Sequence, residues 1–268
     1  MPEGIEIRAQ DVISLEHIAP DVLGLRIVMV NVYALKSGTE WMLIDAGLPM
    51  STGRIRQWLT ENFGNRKPAA ILQTHGHFDH TGALKDLAED WDVPVYAHEL
   101  ELPYLQGKEK YPPPDPSAGG GIMSLLAPFY PRGPVNIGSR AQALPADGSI
   151  PGLADWTWMH TPGHTRGHVS FWRETDRTLI VGDAFCTTAQ ESATAITRQK
   201  PELHGPPAYY TADWNQAKAS VEALAGLRPY TVGPGHGPAI SSGDVAEELQ
   251  VLARDFDRVA RPQTQRAA

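Results

Sequence analysis

The chain has 268 residues, and 23 Lys and Arg against 31 Asp and Glu give a formal net charge of −8, which argues against a large nucleic-acid surface because phosphate contacts need clustered basic residues. A single cysteine, Cys186, excludes an intramolecular disulfide framework, and no apolar run approaches the ~18 residues of a membrane span. The acidic residues scattered through the first part of the chain match neither an export signal nor a transit peptide, so we predict a cytoplasmic protein without a membrane partner.

The first part of the chain alternates between β-branched apolar runs and apolar residues at helical spacing. This order is typical of an α/β protein with helices packed on sheet faces. Gly64 follows one helical pattern as a C-cap, and Pro94 would place its strand at a sheet edge. The predicted elements are strands over 25–35 and 41–44, a helix over 55–63, a strand over 69–72, a helix over 84–91 and a strand over 93–97.

A segment rich in proline and glycine interrupts this pattern, and we predict an insert at about 103–150. Aromatic residues such as Tyr104, Tyr111 and Tyr130 are interleaved with its prolines. Long irregular segments in compact domains are usually functional, and these rings need something to pack against. Two interpretations stay open: the insert lines the pocket, or it only packs on the core.

The remainder of the chain returns to strands and helices. Asp213 and Gln216 have the spacing of a capping box, and Asp244 and Glu247 repeat it at the start of a C-terminal helix over 244–260. The predicted elements are strands over 156–159, 169–172 and 178–181, a helix from 213, a strand over 230–232 and the C-terminal helix.

Two parts of the chain echo each other. Asp45 and Asp183 each follow an apolar strand and precede an alanine, and helices come after both. The repetition indicates two similar ββα halves that face each other. We therefore predict a single domain over 1–268 with the fold of a four-layer αββα sandwich.

The run Thr74-His-Gly-His-Phe-Asp-His80 carries three imidazoles and a carboxylate directly after a strand. Imidazole nitrogen and carboxylate oxygen are ligands for zinc and related metals. His75 and His77, two apart on an extended backbone, can share one metal. Asp79 and His80 stand at the turn into the next helix and suit a second. Gly76, which separates His75 from His77, is expected to permit a tight bend.

Two metals need more ligands than this run supplies, and three later residues are candidates. His164 lies in a Thr-Pro-Gly-His turn, Asp183 ends a strand, and His236 lies in a Gly-Pro-Gly-His turn after a strand. Each position is a strand end, where α/β sheets present their sites. Two neighbours are predicted to have structural roles. His168 would form hydrogen bonds, and Cys186 would be a small buried side chain of the core.

These residues, in this order, resemble the metallo-β-lactamase-fold superfamily of metal-dependent hydrolases. Three shorter stretches, 112–116, 119–121 and 203–206, are similar to a YflN-like bacterial group, and 161–165 is similar to the glyoxalase-II-like members. The resemblance implies that His75, His77 and His164 hold one metal, that Asp79, His80 and His236 hold the second, and that Asp183 bridges them. It implies that Asp45 is no ligand and braces the histidine loop from below.

The implied enzyme is a binuclear-metal-dependent hydrolase acting on a small molecule. A metal-bridging hydroxide would attack an ester, thioester or lactone carbonyl, with Asp79 and Asp183 as the catalytic residues. The cofactors would be two divalent ions, with zinc preferred and iron or manganese as alternatives.

Other functions are open at this stage. One is an oxidoreductase resembling the mononuclear-iron persulfide dioxygenases, which would leave the second metal's positions incomplete. Another is a phosphodiester hydrolase, and a third is a scaffold that binds without catalysis.

Overall fold

Two six-stranded sheets form the centre of the molecule, whose computed structural model describes residues 4–265. The strands are β1 (Ile5–Glu6), β2 (Val12–Ile13), β3 (Val22–Ile27), β4 (Val30–Ser37), β5 (Glu40–Ile44), β6 (Ala70–Leu72), β7 (Val95–Ala97), β8 (Ala141–Ala143), β9 (Thr157–His160), β10 (Val169–Arg173), β11 (Thr178–Gly182), β12 (Glu202–Leu203), β13 (Thr231–Pro234) and β14 (Ala239–Ser241). One sheet has the order β3-β4-β5-β6-β7-β8 and the other β2-β14-β13-β11-β10-β9, while β1 pairs with β12.

Helices cover the outer face of each sheet. The helices of the described chain are α1 (Thr52–Phe63), α2 (Leu84–Trp91), α3 (Leu102–Leu105), α4 (Ile122–Leu126), α5 (Ala193–Arg198), α6 (Trp214–Gly226), α7 (Val245–Arg254) and α8 (Phe256–Val259). Apolar residues of α1 and α2 pack with the first sheet, those of α6 and α7 with the second, and a third cluster fills the space between the sheets. Because apolar burial is shared among three interfaces, the architecture is the predicted four-layer αββα sandwich.

The predicted strand over 25–35 is wrong, because the chain folds back within it. Strands β3 and β4 pair antiparallel with Ile27 opposite Val30, and the turn between them contains Val28 at φ +60°. Val28 is 71% exposed. Turns of this kind usually carry Gly, Asn or Asp, so an unbroken β-branched run gave no local sign of the reversal.

The predicted edge position of the strand after Pro94 is also wrong. Strand β7 pairs in parallel with β6 on one side and β8 on the other. Pro94 lies just before β7, where its carbonyl accepts a hydrogen bond of 3.0 Å from Ile71 N. The sheet therefore never needs the N–H that proline lacks.

Two of the three predicted helix-capping residues stand at helix ends as caps. Gly64 ends α1 at φ +65°, and Asp213 caps α6 by accepting from the backbone of Asn215 and Gln216 at 2.9 Å each. Asp244 is different: its side chain makes no cap hydrogen bond within residues 4–265 and pairs instead with Arg8. The predicted C-terminal helix is divided between α7 and α8.

Strand directions decide where loops meet. Strands β5 and β6 run in parallel, as do β11 and β13 of the other sheet. The residues that follow these strands therefore leave each sheet at a common edge. Across residues 4–265, no helix combines the length and apolar character that crossing a membrane would require.

Candidate metal centre

All seven predicted ligands lie in one buried cluster. Four come from the loop after β6 and the other three follow β9, β11 and β13, so both sheets contribute. We call His75, His77 and His164 the first triad, and Asp79, His80 and His236 the second triad. Within each triad, one ligand atom per residue lies within 4.8 Å of the others.

The nitrogens of the first triad are close to metal-ligand spacing. His77 Nδ1 is 3.0 Å from His75 Nε2 and 2.9 Å from His164 Nε2. Two nitrogens bound to one zinc at about 2.0–2.1 Å in tetrahedral geometry stand about 3.3 Å apart. The remaining nitrogens are oriented by hydrogen bonds, since His75 Nδ1 lies 3.0 Å from Thr74 Oγ1. Such contacts fix the ring orientation that a ligand needs.

Asp183 stands between the two triads. Its carboxylate lies 3.5 Å from His164 Nε2 of the first triad, and 3.4 Å from His80 Nε2 and 3.2 Å from His236 Nε2 of the second. His236 Nε2 is also 3.4 Å from Asp79 Oδ2. One carboxylate therefore faces both groups of ligands.

Two buried atoms of this cluster lack a hydrogen-bond partner among the described residues: His80 Nε2 and Asp183 Oδ1. A buried polar atom without a partner costs about 1–3 kcal/mol. These two atoms are 3.4 Å apart and face each other, so both could bind the same cation. The donor set of imidazole and carboxylate fits zinc, iron or manganese.

Burial keeps the first triad neutral. It lowers the pKa of His75 and of His164 well below the usual range, and neighbouring imidazoles lower both further. Burial likewise lowers the pKa of His77 to about 4. A neutral imidazole keeps the lone pair that a metal requires.

The second triad attracts positive charge. Burial alone would lower the pKa of His236, but the carboxylates of Asp183 and Asp79 outweigh it and raise that pKa to about 10. Burial of His80 is likewise outweighed by Asp183 and Asp45, which hold its pKa well above the usual range. Carboxylates this deeply buried need a cation beside them, and a divalent metal would meet that need.

Asp45 lies beneath the histidine loop and contacts it at several points. Its carboxylate accepts hydrogen bonds from Gln73 Nε2 at 2.9 Å, from Thr74 N at 2.8 Å and from Thr74 Oγ1 at 2.8 Å. It also lies 2.7 Å from His80 Nδ1. Asp45 therefore contacts His80 and the start of the loop, and it belongs to none of the ligand groups found over 4–265.

Two neighbours of the cluster are structural. His168 Nε2 accepts the backbone N–H of Asp183 at 2.8 Å, and burial lowers the pKa of His168 to about 3, so its ring is neutral. Cys186 is buried, pairs through its backbone with His204, and belongs to none of the ligand groups found over 4–265. The roles predicted for His168 and Cys186 agree with these contacts.

Glu101, which the sequence analysis missed, joins three segments around the first triad. Its buried carboxylate accepts from Gly76 N at 3.0 Å, Thr165 Oγ1 at 2.7 Å and Gly167 N at 3.0 Å, and from the Tyr111 hydroxyl. Gly76 separates His75 from His77, Thr165 and Gly167 follow His164, and Tyr111 belongs to the insert. Glu101 lies between Leu100 and Leu102, two residues after the exposed Glu99, and this local sequence gives no sign that one of the two glutamates is buried.

Two glycines leave room for these contacts. Gly76 does not have the positive φ of a tight bend, and its requirement is space, because a Cβ there would lie 2.8 Å from the Tyr111 hydroxyl. A Cβ on Gly235 would lie 2.1 Å from Asp183 Oδ1. Both positions sit where backbone approaches a functional side chain.

Glu101→Gln is expected to lower the free energy of unfolding by about 2–4 kcal/mol, because the amide nitrogen would face groups that all donate. Urea denaturation monitored by circular dichroism measures the change. Glu99→Gln, an exposed carboxylate two residues away, is the matched control and should leave stability unchanged. Equal stability of the two variants would contradict the role given to Glu101.

A cleft of about 250 Å³ opens onto the first triad. His77 and His164 line it, together with Tyr104 and Tyr111 of the insert and Tyr210 of the loop after β12. The first portion of the insert therefore shapes the cleft, which decides between the two interpretations that the sequence left open.

Comparisons with known proteins agree with this geometry. A model of the metallo-beta-lactamase superfamily matches residues 25–236. A Bacillus subtilis (strain 168) protein named "Probable metallo-hydrolase YflN" is 45% identical over 245 residues, which cover 90% of this chain and 93% of that protein. A second protein of that strain, "Probable metallo-hydrolase YybB", is 29% identical over 214 residues, covering 80% and 83%.

Solved structures share the fold. TTHA1623 in a di-iron-bound form has a TM-score of 0.55 and 29% identity, covering 87% of this chain and 96% of that one. BJP-1, a subclass B3 metallo-β-lactamase of Bradyrhizobium japonicum, has a TM-score of 0.62 at 20% identity, covering 95% and 94%. The second likeness concerns the fold alone.

Proposed function

Because this chain belongs to the metallo-β-lactamase superfamily and is a metallo-hydrolase, we propose that it uses two divalent metals to hydrolyse an ester, thioester or lactone. Water would attack the carbonyl carbon, and the acyl C–O or C–S bond would break. The family and the enzyme class predicted from the sequence are confirmed, as is the fold class. The number of metals, their identity and the substrate are the content of the proposal.

The observation that carries the proposal is the position of Asp183. A carboxylate within 3.5 Å of nitrogens from both triads is placed to serve two cations at once. A single-metal enzyme would need only one triad. Here the second triad is as complete as the first, which disfavours the mononuclear-iron persulfide oxidation considered above.

The residues have distinct roles in this proposal. The first triad would hold one cation, the second triad the other, and Asp183 both. When bound, the cations would activate a water molecule and stabilise the negative charge that develops on the carbonyl oxygen. Asp79 would accept the proton of that water, since its carboxylate is the most accessible of the ligand side chains at 12%.

The cleft supports a carbonyl substrate. Its wall is formed mainly by aromatic rings and prolines, and Arg166 is its one lysine or arginine among the described residues. A phosphodiester would favour several cationic groups. Zinc is the metal we propose first, and iron is the alternative that the di-iron form of TTHA1623 supports.

Metal analysis and a hydrolysis panel test this proposal. After reconstitution with zinc or iron, the protein is expected to hold two metals per chain and to hydrolyse at least one of a lactone, a glutathione thioester or an aryl ester. A chelator should remove this activity, and added metal should restore it. One metal per chain with oxygen uptake on glutathione persulfide, or activity restricted to phosphodiesters, would contradict the proposal.

The sequence also predicts the domain organisation, the size of the substrate and the location of the protein. We propose that the chain acts as a single domain over 1–268, because both halves supply side chains to one cluster. We also propose a small-molecule substrate, since the cleft has the volume for one, and a cytoplasmic location as the composition suggests.

A further inference from the structure

The hydroxyl of Tyr210 is buried and has no hydrogen-bond partner among residues 4–265. Three other tyrosine hydroxyls have a partner: Tyr111 donates to Glu101, Tyr33 donates to Pro234 O at 2.6 Å, and Tyr130 faces a methionine sulfur. A buried hydroxyl without a partner costs about 1–3 kcal/mol. An arrangement with that cost suggests a partner that arrives with the substrate.

Tyr210 lies directly against the first triad. Its ring centroid is 4.5 Å from that of His77, at an interplanar angle of 34°. Both residues line the 250 Å³ cleft, as does His164. The ring of Tyr210 therefore belongs to the same cleft wall as two ligands of the first triad.

The local backbone holds Tyr210 in this place. Tyr210 N donates to Pro207 O at 3.3 Å, and the next side chain, Thr211, donates to the same carbonyl at 2.8 Å. Thr211 Oγ1 also lies 3.5 Å from His164 Nδ1. The turn that carries Tyr210 is therefore tied to a ligand of the first triad, and the ring of Tyr210 lies against His77 before substrate binds.

We infer that the Tyr210 hydroxyl donates a hydrogen bond to the carbonyl oxygen of the substrate and, as hydrolysis proceeds, to the oxyanion formed from it. This inference rests on the proposed hydrolysis of a carbonyl compound. A tyrosine hydroxyl, with an ordinary pKa of about 10, is protonated at neutral pH and can donate. A preorganised donor aimed at developing charge contributes on the order of 10²-fold to the rate.

Tyr210→Phe removes the hydroxyl and keeps the ring against His77. We expect kcat/KM to fall by about 100-fold on the best substrate of the panel, with two metals per chain retained. A phosphonate monoester, which mimics the tetrahedral oxyanion, should bind the metal-loaded variant at least ~10-fold more weakly by calorimetry. The melting temperature should be unchanged or higher, since no native hydrogen bond is lost.

Tyr230→Phe is the matched control, because Tyr230 is exposed beside β13 and should behave as the wild type in every assay. Wild-type activity and unchanged phosphonate affinity in Tyr210→Phe would overturn the inference, and so would a lower melting temperature, which would indicate a structural partner. If the wild type hydrolyses nothing on the panel, the proposed function fails, while the phosphonate titration still tests Tyr210.

Discussion

Asp183→Ala is expected to reduce hydrolysis by at least ~10³-fold, because the substitution removes the one carboxylate that faces both triads. The Asp183 oxygens lie within 3.5 Å of nitrogens of His80, His164 and His236. Without them, each of the two proposed cations would lack one ligand, and the negative charge between the cations would be lost. Metal content should fall from two ions per chain to one or none, measured by plasma mass spectrometry beside initial rates.

His77→Ala provides a second test of the proposal that two metals are needed for hydrolysis. It removes a ligand of the first triad alone, so we expect activity to be lost while one metal is retained. Asp147→Ala, which alters an exposed turn, should keep both metals and full activity. Full activity in Asp183→Ala would mean that this carboxylate is not part of the catalytic centre.

Asp45→Asn is expected to weaken metal retention by about 10–100-fold, the usual effect of removing a group that orients ligands. The carboxylate accepts hydrogen bonds from Gln73 and Thr74 and contacts His80 at 2.7 Å. An amide would place N–H groups against some of these donors, and His80 would lose its fixed orientation. Competition titration with a chromophoric chelator measures the affinity, and saturating metal should restore most of the activity.

Asp92→Asn is a well-matched control for this experiment. Asp45 and Asp92 both have a positive φ, +60° and +50°, and asparagine tolerates that conformation well. Asp92 is exposed and pairs with Arg140, away from the cluster. Equal metal affinity in Asp45→Asn and the wild type would contradict the proposed role of Asp45 in orienting the ligands.

Local sequence patterns were sufficient to predict an element wherever the interacting residues lie close together in the sequence. The apolar spacing of α1 and the cap of Asp213 are formed within a few residues, so both could be predicted. Strands β3 and β4 could be predicted only in part. Their β-branched residues predict an extended chain, but the sequence has no typical turn residue at Val28, and the chain reversal there depends on the pairing of the two strands.

The sequence by itself determined which residues could bind metal, because histidine and aspartate side chains are metal ligands and several of them follow predicted strands. These residues are the run from His75 to His80, His164, Asp183 and His236. Folding decided which atoms meet. The burial of Glu101, its link from Tyr111 to Gly76, and the unpartnered hydroxyl of Tyr210 arise from segments far apart in the chain. Burial and long-range hydrogen bonds depend on how the two sheets and the insert pack together, and no local pattern encodes that arrangement.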